Sequence, residues 1–333
     1  MPVILEPSPE NIAKCAERLR WGLPVAFPTE TVYGLACDAR SEAAVAEVYR
    51  LKRRPASNPL IAHVSSVAMA KEAVIGWDRR ADKLAEAFWP GPLAMIFNRR
   101  SSICALSVGG RTSVAVRIPS HPVAQALIEA FGHPIAAPSA NRSGRISPTT
   151  AAHVAEEFAD IADLPILDGG ACEVGLESTV LDLSRARPMI LRPGAVGAAD
   201  LEPLIGPVVS TAAGAQIGSP GTAASHYAPV TATELVVASD LSARLARASG
   251  TESGRVAVVA FADTPVAAPH ELFALPRHAS AYAQLLYATL RRADASGATL
   301  ILIALPDETG GIWDAAHDRI RRAAARRPNA PTA

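Results

Sequence analysis

The 333-residue sequence predicts an α/β protein: an open sheet of mixed strand direction with flanking helices, followed by a smaller α/β domain. Two observations carry that class. Short apolar runs of β character alternate with capped segments whose apolar residues recur at helical spacing. The texture then changes once, after about residue 206, into "GPVVSTAAGAQIGSPGTAASHYAPVTA", which is rich in small residues, glycine and proline. The organisation that follows is a first domain over 1–206, a linker or lid over 207–230 and a second α/β domain over 231–333.

The elements can be taken in order. Ser8-Pro9 reads as an N-cap with proline at the first helical position, Ile12, Cys15, Ala16 and Leu19 form an apolar stripe, and Gly22 stops the helix. A strand follows at "PVAFPT". A second helix, capped by Ser41, carries Val45, Val48 and Tyr49 on one face and ends near "KRRP", before the buried strand "PLIAHV". Helix 79–88, the breaker "WPGP", strands "LAMIF" and "SVAVRI", helix 121–131, strand "PIAAP", helix 149–158 and strands "STVLDL" and "PMILRP" complete the first domain. Beyond the linker come "ATELVVAS", "RVAVVAF", a helix over 278–293, "TLILIAL" and a helix over 311–325.

Composition narrows the function classes. With 49% hydrophobic and 19% charged residues the chain is globular, and its 32 basic and 32 acidic residues cancel, so nucleic acid is not held by bulk charge. The basic concentration Arg319, Arg321, Arg322, Arg326 and Arg327 reads as a solvated helix end favoured by the helix dipole, with RNA contact as the minority alternative. Cys15, Cys37, Cys104 and Cys172 lie far apart, without a CxxC pair or a histidine at zinc spacing, and read as reduced core thiols. The N-terminus has no charged segment leading into an apolar run, and no stretch is long and apolar enough to span a bilayer, so a cytoplasmic protein without a membrane anchor is expected.

The chemistry must come from individual side chains. Gly170 and Gly175 have P-loop spacing but continue with Leu176-Glu177, and neither G-x-G-x-x-G nor G-x-S-x-G occurs. Lys52, Arg53 and Arg54 precede Pro55, whose ring holds Arg54 extended; the guanidinium suits phosphate, and cations at a helix C-terminus are the alternative. In "SVAVRI", alternation puts Val114, Val116 and Ile118 on one face and Ser113, Ala115 and Arg117 on the other. A buried arginine needs an anion, from a ligand or from an internal salt bridge. "APSANRSGRISPTT" places Ser139, Asn141, Ser143 and Ser147 at the carboxyl end of a strand, as a ligand loop or an ordinary N-cap loop. Ser178, Thr179 and Arg192 are equally ambiguous; His63 alone reads as a hydrogen-bonded core residue, and His226 in the linker says little.

Together, "PTETVYGLACDA", "KRRPASNPLIAHV", "TSVAVRIP", "APSANRSG", "GLESTVLDL", "ILRPGAV" and "SPGTAASHYAP" resemble, in order and over nearly the whole chain, the motifs of the threonylcarbamoyl-AMP synthase family. The resemblance implies a YrdC-like twisted mixed sheet with flanking helices and a smaller C-terminal Rossmann-like α/β domain. It implies an enzyme that makes L-threonylcarbamoyladenylate and pyrophosphate from L-threonine, bicarbonate or CO2, and ATP. The product feeds modification of the tRNA adenosine beside the anticodon by downstream threonylcarbamoyltransferase proteins, so this chain needs little or no tRNA affinity of its own.

Carried over by motif, L-threonine binds near Thr31, His63, Arg117, the backbone at Ala137 and Ser178, and ATP near Arg54, Asn58, Ser113, Ser139, Ser147, Arg192 and Tyr227. Lys52 and Arg54 are the catalytic candidates, close to the phosphates. Mg²⁺ is expected with ATP, with ligands that the sequence does not name among Glu30, Asp38, Asp168, Glu177 and Asp182, and no organic prosthetic group is expected. The segment "SPGTAASHYAP" is expected to cover the cleft, because a carbamic-phosphoric anhydride must be kept from water. Departures from the family pattern are Cys37, where many relatives have a small residue, and Arg53, where glycine is frequent. The rivals are a carbamoyl-phosphate-using relative, whose acylphosphatase and zinc segments are missing here, and a double-stranded RNA-binding module, which salt-sensitive RNA affinity without ATP turnover would favour.

Overall fold

The computed structural model describes residues 1–210, 227–249 and 254–325. They fall into two compact units, Met1–Ser143 with Ser147–Thr222, and Gly144–Ile146 with Ala223–Ala333. Residues 219–226 of the expected cover, His226 among them, and the arginines 326 and 327 lie outside the described residues.

In the first unit the order is β1 Val3–Leu5, α1 Pro9–Arg20, β2 Val25–Phe27, β3 Gly34–Asp38, α2 Glu42–Lys52, β4 Ile61–His63, α3 Val67–Ala73, β5 Val74–Ile75, α4 Arg79–Phe88 and β6 Leu93–Arg99. It continues with β7 Ser113–Arg117, α5 Pro122–Phe131, β8 Ile135–Ala137, α6 Ala151–Glu157, β9 Pro165–Leu167, β10 Thr179–Asp182, β11 Met189–Arg192, α7 Ala198–Ile205 and β12 Val209–Ser210. The helices begin where capping chemistry places them: Ser8 Oγ accepts from Asn11 N at 3.3 Å and Ser41 Oγ from Ala44 N at 3.2 Å. Helix α2 ends at Arg53, whose left-handed φ of 50° explains why glycine suits that position.

The twelve-stranded sheet runs β1-β9-β2-β3-β8-β4-β7-β6-β10-β11-β12, with β5 paired to β6. Its directions are mixed: β4 and β7 are parallel, whereas β8 is antiparallel to both β3 and β4. Strand β3, which the sequence reading did not separate from the loop before it, is buried almost throughout, so its side chains show no polar alternation.

Two apolar layers cover the sheet. Ala62, Met95, Phe97, Val114, Val116 and Ala136 join Val45, Val48, Ala81 and Leu84 of the helices in the main core. Across the sheet, Val25, Phe27, Ala36 and Ala137 pack with Leu19 of α1 and with Leu127 and Ile128 of α5. That second cover stops short. Ile61, Ala94, Ile96, Ala115, Val180 and Leu191 form a small cluster of strand residues alone, on the face shared by Ala115 and Arg117. A sheet face left without a helix is where this unit can take a ligand.

The second unit contains β13 Ala232–Val237, α8 Leu241–Ser249, β14 Val256–Phe261, β15 Glu271–Leu275, α9 Ala279–Asp294, β16 Leu300–Leu305 and α10 Ile312–Ala324. Its sheet, β13-β16-β14-β15, is parallel throughout. The solvated-end reading of the C-terminal arginines fails for two of them. Arg319 and Arg322 are buried, and both guanidiniums donate to buried Asp318, at 2.7 and 2.9 Å. The buried face of α10 takes up residues 315, 316, 319, 320, 322 and 323, so spacing overrides charge and Asp318 supplies the counter-charge. Arg321 is exposed, as expected.

All four cysteines are buried thiols, and burial pushes that of Cys37 well above its usual range. No helix among the described residues is long and apolar enough to cross a membrane.

Candidate active site

Sheet register decides which side chains meet. Ile61, Ala115 and Ala137 lie side by side on β4, β7 and β8, and two residues further along β4 and β7 His63 pairs with Arg117. In the other direction, Ser113 begins β7 and Ser139 follows β8, both toward the end of the pairing opposite His63. The strip between Asn58 and His63 therefore has two ends, one bordered by loops and one by buried charge.

At the buried end, Arg117 is 3% exposed, and it meets an anion from its own chain. Its Nη2 lies 2.6 Å from Glu30 Oε1, its Nη1 donates to Thr31 Oγ1 at 2.9 Å and its Nε to the Gly91 carbonyl at 3.1 Å. The internal salt bridge that the sequence left as the alternative is thus present. Glu30 and Thr31 reach Arg117 because the loop between β2 and β3 folds back over the sheet, tied by Thr29 Oγ1 donating to the Val32 carbonyl at 2.6 Å. Ser120 N donates to the second oxygen of Glu30 at 3.2 Å.

His63 is buried beside this pair, edge-on to Phe27 with ring centroids 5.9 Å apart and Nδ1 3.2 Å from the Ile61 carbonyl. Burial, and secondly the charge of Arg117, lower its pKa to about 3, so the imidazole is neutral at physiological pH. Burial and Glu30 push the neighbouring Cys172 thiol up to about 12, which keeps it protonated. Nearby, Arg192 donates through Nε to the Ser178 carbonyl at 3.0 Å and through Nη2 to Ser178 Oγ at 3.2 Å. Gly194 makes this turn possible: a Cβ there would stand 2.3 Å from Thr179 N.

At the loop end, Arg54 curls over its own segment, donating to the carbonyls of Asn58 at 3.2 Å and Pro59 at 3.0 Å. Tyr49 Oη donates to the same Asn58 carbonyl at 2.9 Å, which stiffens the turn. Lys52 is buried, and its Nζ donates to the carbonyls of Ser139 and Asn141. Burial, with Arg54 and Arg142 close by, holds its ammonium well below the usual lysine range. Ser147 Oγ donates to Glu177 Oε1 at 2.6 Å, both groups buried. The assembly offers cations, hydroxyls and backbone groups.

Comparison with known proteins now bears on the chain. A family model described as telomere recombination, Sua5_yciO_yrdC, matches residues 17–194, and one described as threonylcarbamoyl-AMP synthase, C-terminal domain, matches 196–325. The threonylcarbamoyl-AMP synthase of Pyrococcus abyssi is 38% identical over 93% of this chain and 92% of its own. The chain belongs to the threonylcarbamoyl-AMP synthase family. The Bacillus subtilis member is 42% identical over 66% of this chain and 64% of its own. A crystal structure of P. abyssi Sua5 complexed with L-threonine superposes with a TM-score of 0.89 at 36% identity, covering 97% of both chains. The YrdC-like mixed sheet, the second α/β domain and the nucleotidyl-transferring class of enzyme are therefore those of the family.

The structure brings Thr31, His63, Arg117, Ser178 and Arg192 to the buried end of the strip, and Arg54, Asn58, Ser113 and Ser139 to the loop end, with Ala137 between them. Arg192, grouped with ATP by motif, hydrogen-bonds to Ser178, grouped by motif with threonine. Tyr227 belongs to the second unit, with φ 61°, its ring 5.6 Å from that of Tyr287 and under the guanidinium of Arg319 at 5.4 Å.

Sequence reasoning weighed Glu30 and Glu177 only among the acidic residues near an expected Mg²⁺ and missed their partners Arg117 and Ser147. Each glutamate immediately precedes an assigned residue, Thr31 and Ser178, and is buried, which was the available signal. No group of three or more possible metal ligands occurs among the described residues. Glu30, Asp168, Glu177 and Asp182 instead accept hydrogen bonds from Ser120, Tyr33, Ser147 and Ser184.

Proposed function

We propose that this protein condenses L-threonine, bicarbonate or CO2 and ATP into threonylcarbamoyl-AMP and pyrophosphate, with threonine at the buried end of the strip and the nucleotide along the loop end. One observation carries the reading: the chain matches, over 97% of its length, a Sua5 structure described as complexed with L-threonine.

The residue chemistry agrees with that reaction. The threonine amine must be neutral to capture CO2; the carbamate oxygen then attacks the α-phosphorus, forming the P–O bond as the bond to pyrophosphate breaks. Arg117, already anchored by Glu30, presents its remaining donor surface to the threonine carboxylate. His63, neutral with a pKa of about 3, contributes a polar wall without repelling an ammonium group and cannot carry off its proton at neutral pH. Arg54 supplies positive charge on the nucleotide side, and Lys52 holds the loop that bears Ser139. No protein nucleophile is needed, and orientation does most of the work.

The carboxylates around the strip are engaged by protein donors, so a cage of protein ligands for Mg²⁺ does not fit this site. The ion is proposed to arrive with ATP, ligated by phosphates and water. The downstream acceptors of the product are the proteins that modify tRNA beside the anticodon.

Threonine- and bicarbonate-dependent pyrophosphate release from ATP tests the whole reading, and folded protein without it would sink it. Replacing Arg54 should chiefly weaken ATP use and replacing His63 chiefly threonine use; the reverse pattern would show the strip to be divided wrongly. One methyl group separates threonine from serine, a difference of ~1–3 kcal/mol, so modest turnover of serine is expected.

A further inference from the structure

The loop from Ser139 to Ser147 carries two of the residues assigned to ATP, yet its middle, Gly144–Ile146, belongs to the second compact unit. Inside that unit three bonds hold those residues. Ala228 N donates to the Gly144 carbonyl at 2.9 Å, and the Arg291 guanidinium donates to the Ile146 carbonyl. Arg145 Nη2 lies 3.8 Å from Asp294 Oδ2.

Asp294 does more. Its carboxylate accepts from Val230 N at 2.9 Å and from Thr231 N at 2.8 Å, so the last turn of α9 holds both the tip of the loop and the chain entering β13. An arginine side chain and a carboxylate fixing backbone groups of two separate segments is a strong arrangement, because each bond is charge-assisted. Ser147 follows Ile146 directly in sequence, so the bond that holds the Ile146 carbonyl restrains the backbone leading into Ser147.

We propose that Arg291 and Asp294 are positioning residues for the nucleotide side of the site, acting through Gly144–Ile146 on Ser139 and Ser147. This rests on the proposed synthase function and extends it: the second domain contributes to ATP use without supplying these two groups to the substrate. Threonine, assigned to Thr31, His63, Arg117 and Ser178, is held by residues that the clamp does not reach.

The test is steady-state pyrophosphate release by the full chain with R291M, which keeps the aliphatic length, and D294A, each with ATP and threonine varied separately. The KM for ATP should rise by about tenfold, as expected for the loss of a charge-assisted hydrogen bond. The KM for threonine should stay within about twofold, and R291K should recover part of the loss. Equal effects on both substrates, or an unchanged ATP KM in a folded variant, would overturn the proposal.

Two further measurements keep it decidable. Should R291M fail to fold, R291Q carries the same expectation. Amide exchange over residues 139–147, which needs no turnover, should accelerate in R291M and D294A, and unaltered exchange in both would also overturn the clamp. Failure of the proposed function looks different, since the unaltered protein would then release no threonine-dependent pyrophosphate.

Discussion

Glu30→Gln is the sharpest probe of the buried end. The Glu30 and Arg117 side chains are 4% and 3% exposed and 2.6 Å apart, so removing the carboxylate's charge leaves a guanidinium in the interior without its counter-charge. Breaking such a pair costs about 3–5 kcal/mol; glutamine keeps a carbonyl acceptor for only one of Ser120 N and Arg117 and turns an amide donor toward the other, so this variant should cost at least ~3 kcal/mol. For a unit of this size, each kcal/mol lowers the melting temperature by about 2–4 °C, so the first-unit transition should fall by about 6 °C or more. Scanning calorimetry reads this directly. The double variant E30M/R117M removes both charges and should regain much of the lost stability while losing threonine use. An E30Q protein melting within about 2 °C of the parent would refute the reasoning, because the pair would then not be a buried, mutually dependent one.

Three other outcomes follow from the same geometry. His63 has a folded pKa of about 3 against an ordinary 6.5, so between those values the unfolded chain binds a proton that the folded one does not. Its contribution is intact above pH 6.5 and declines as pH falls toward 3, by about 3 kcal/mol at pH 4; urea unfolding at pH 7 and pH 4 should show a shallower pH dependence in His63→Gln. Ser147→Ala leaves the buried Glu177 carboxylate without its 2.6 Å donor and should cost ~1.5–3 kcal/mol in unfolding free energy, together with a raised KM for ATP. Arg53→Gly relieves the left-handed backbone at φ 50° on an exposed residue and should stabilise by about 1 kcal/mol, read as a higher denaturant midpoint with unchanged activity.

Much of the first unit was legible because its signals are local. Ser8 and Ser41 cap the helices that the sequence assigns to them, and Val114, Val116 and Ile118 share the core face that alternation predicts. Strand β3 was not legible, since a strand buried on both faces carries no alternation. The C-terminal arginines misled for a related reason: charge suggested solvent, whereas helical spacing placed Arg319 and Arg322 inward with Asp318 between them.

The sequence by itself determined the α/β class, the succession of elements and, through seven ordered motifs, the family. Those depend on propensity, periodicity and motif spacing, all written in short windows of chain. Only the tertiary structure decided that Glu30 is the counter-ion of Arg117, that Arg192 stands with Ser178, that Lys52 serves loop carbonyls and that Gly144–Ile146 is held by α9. Each of these joins residues far apart in sequence or through side-chain direction, and the register of a mixed sheet, which no local window encodes, brings them together.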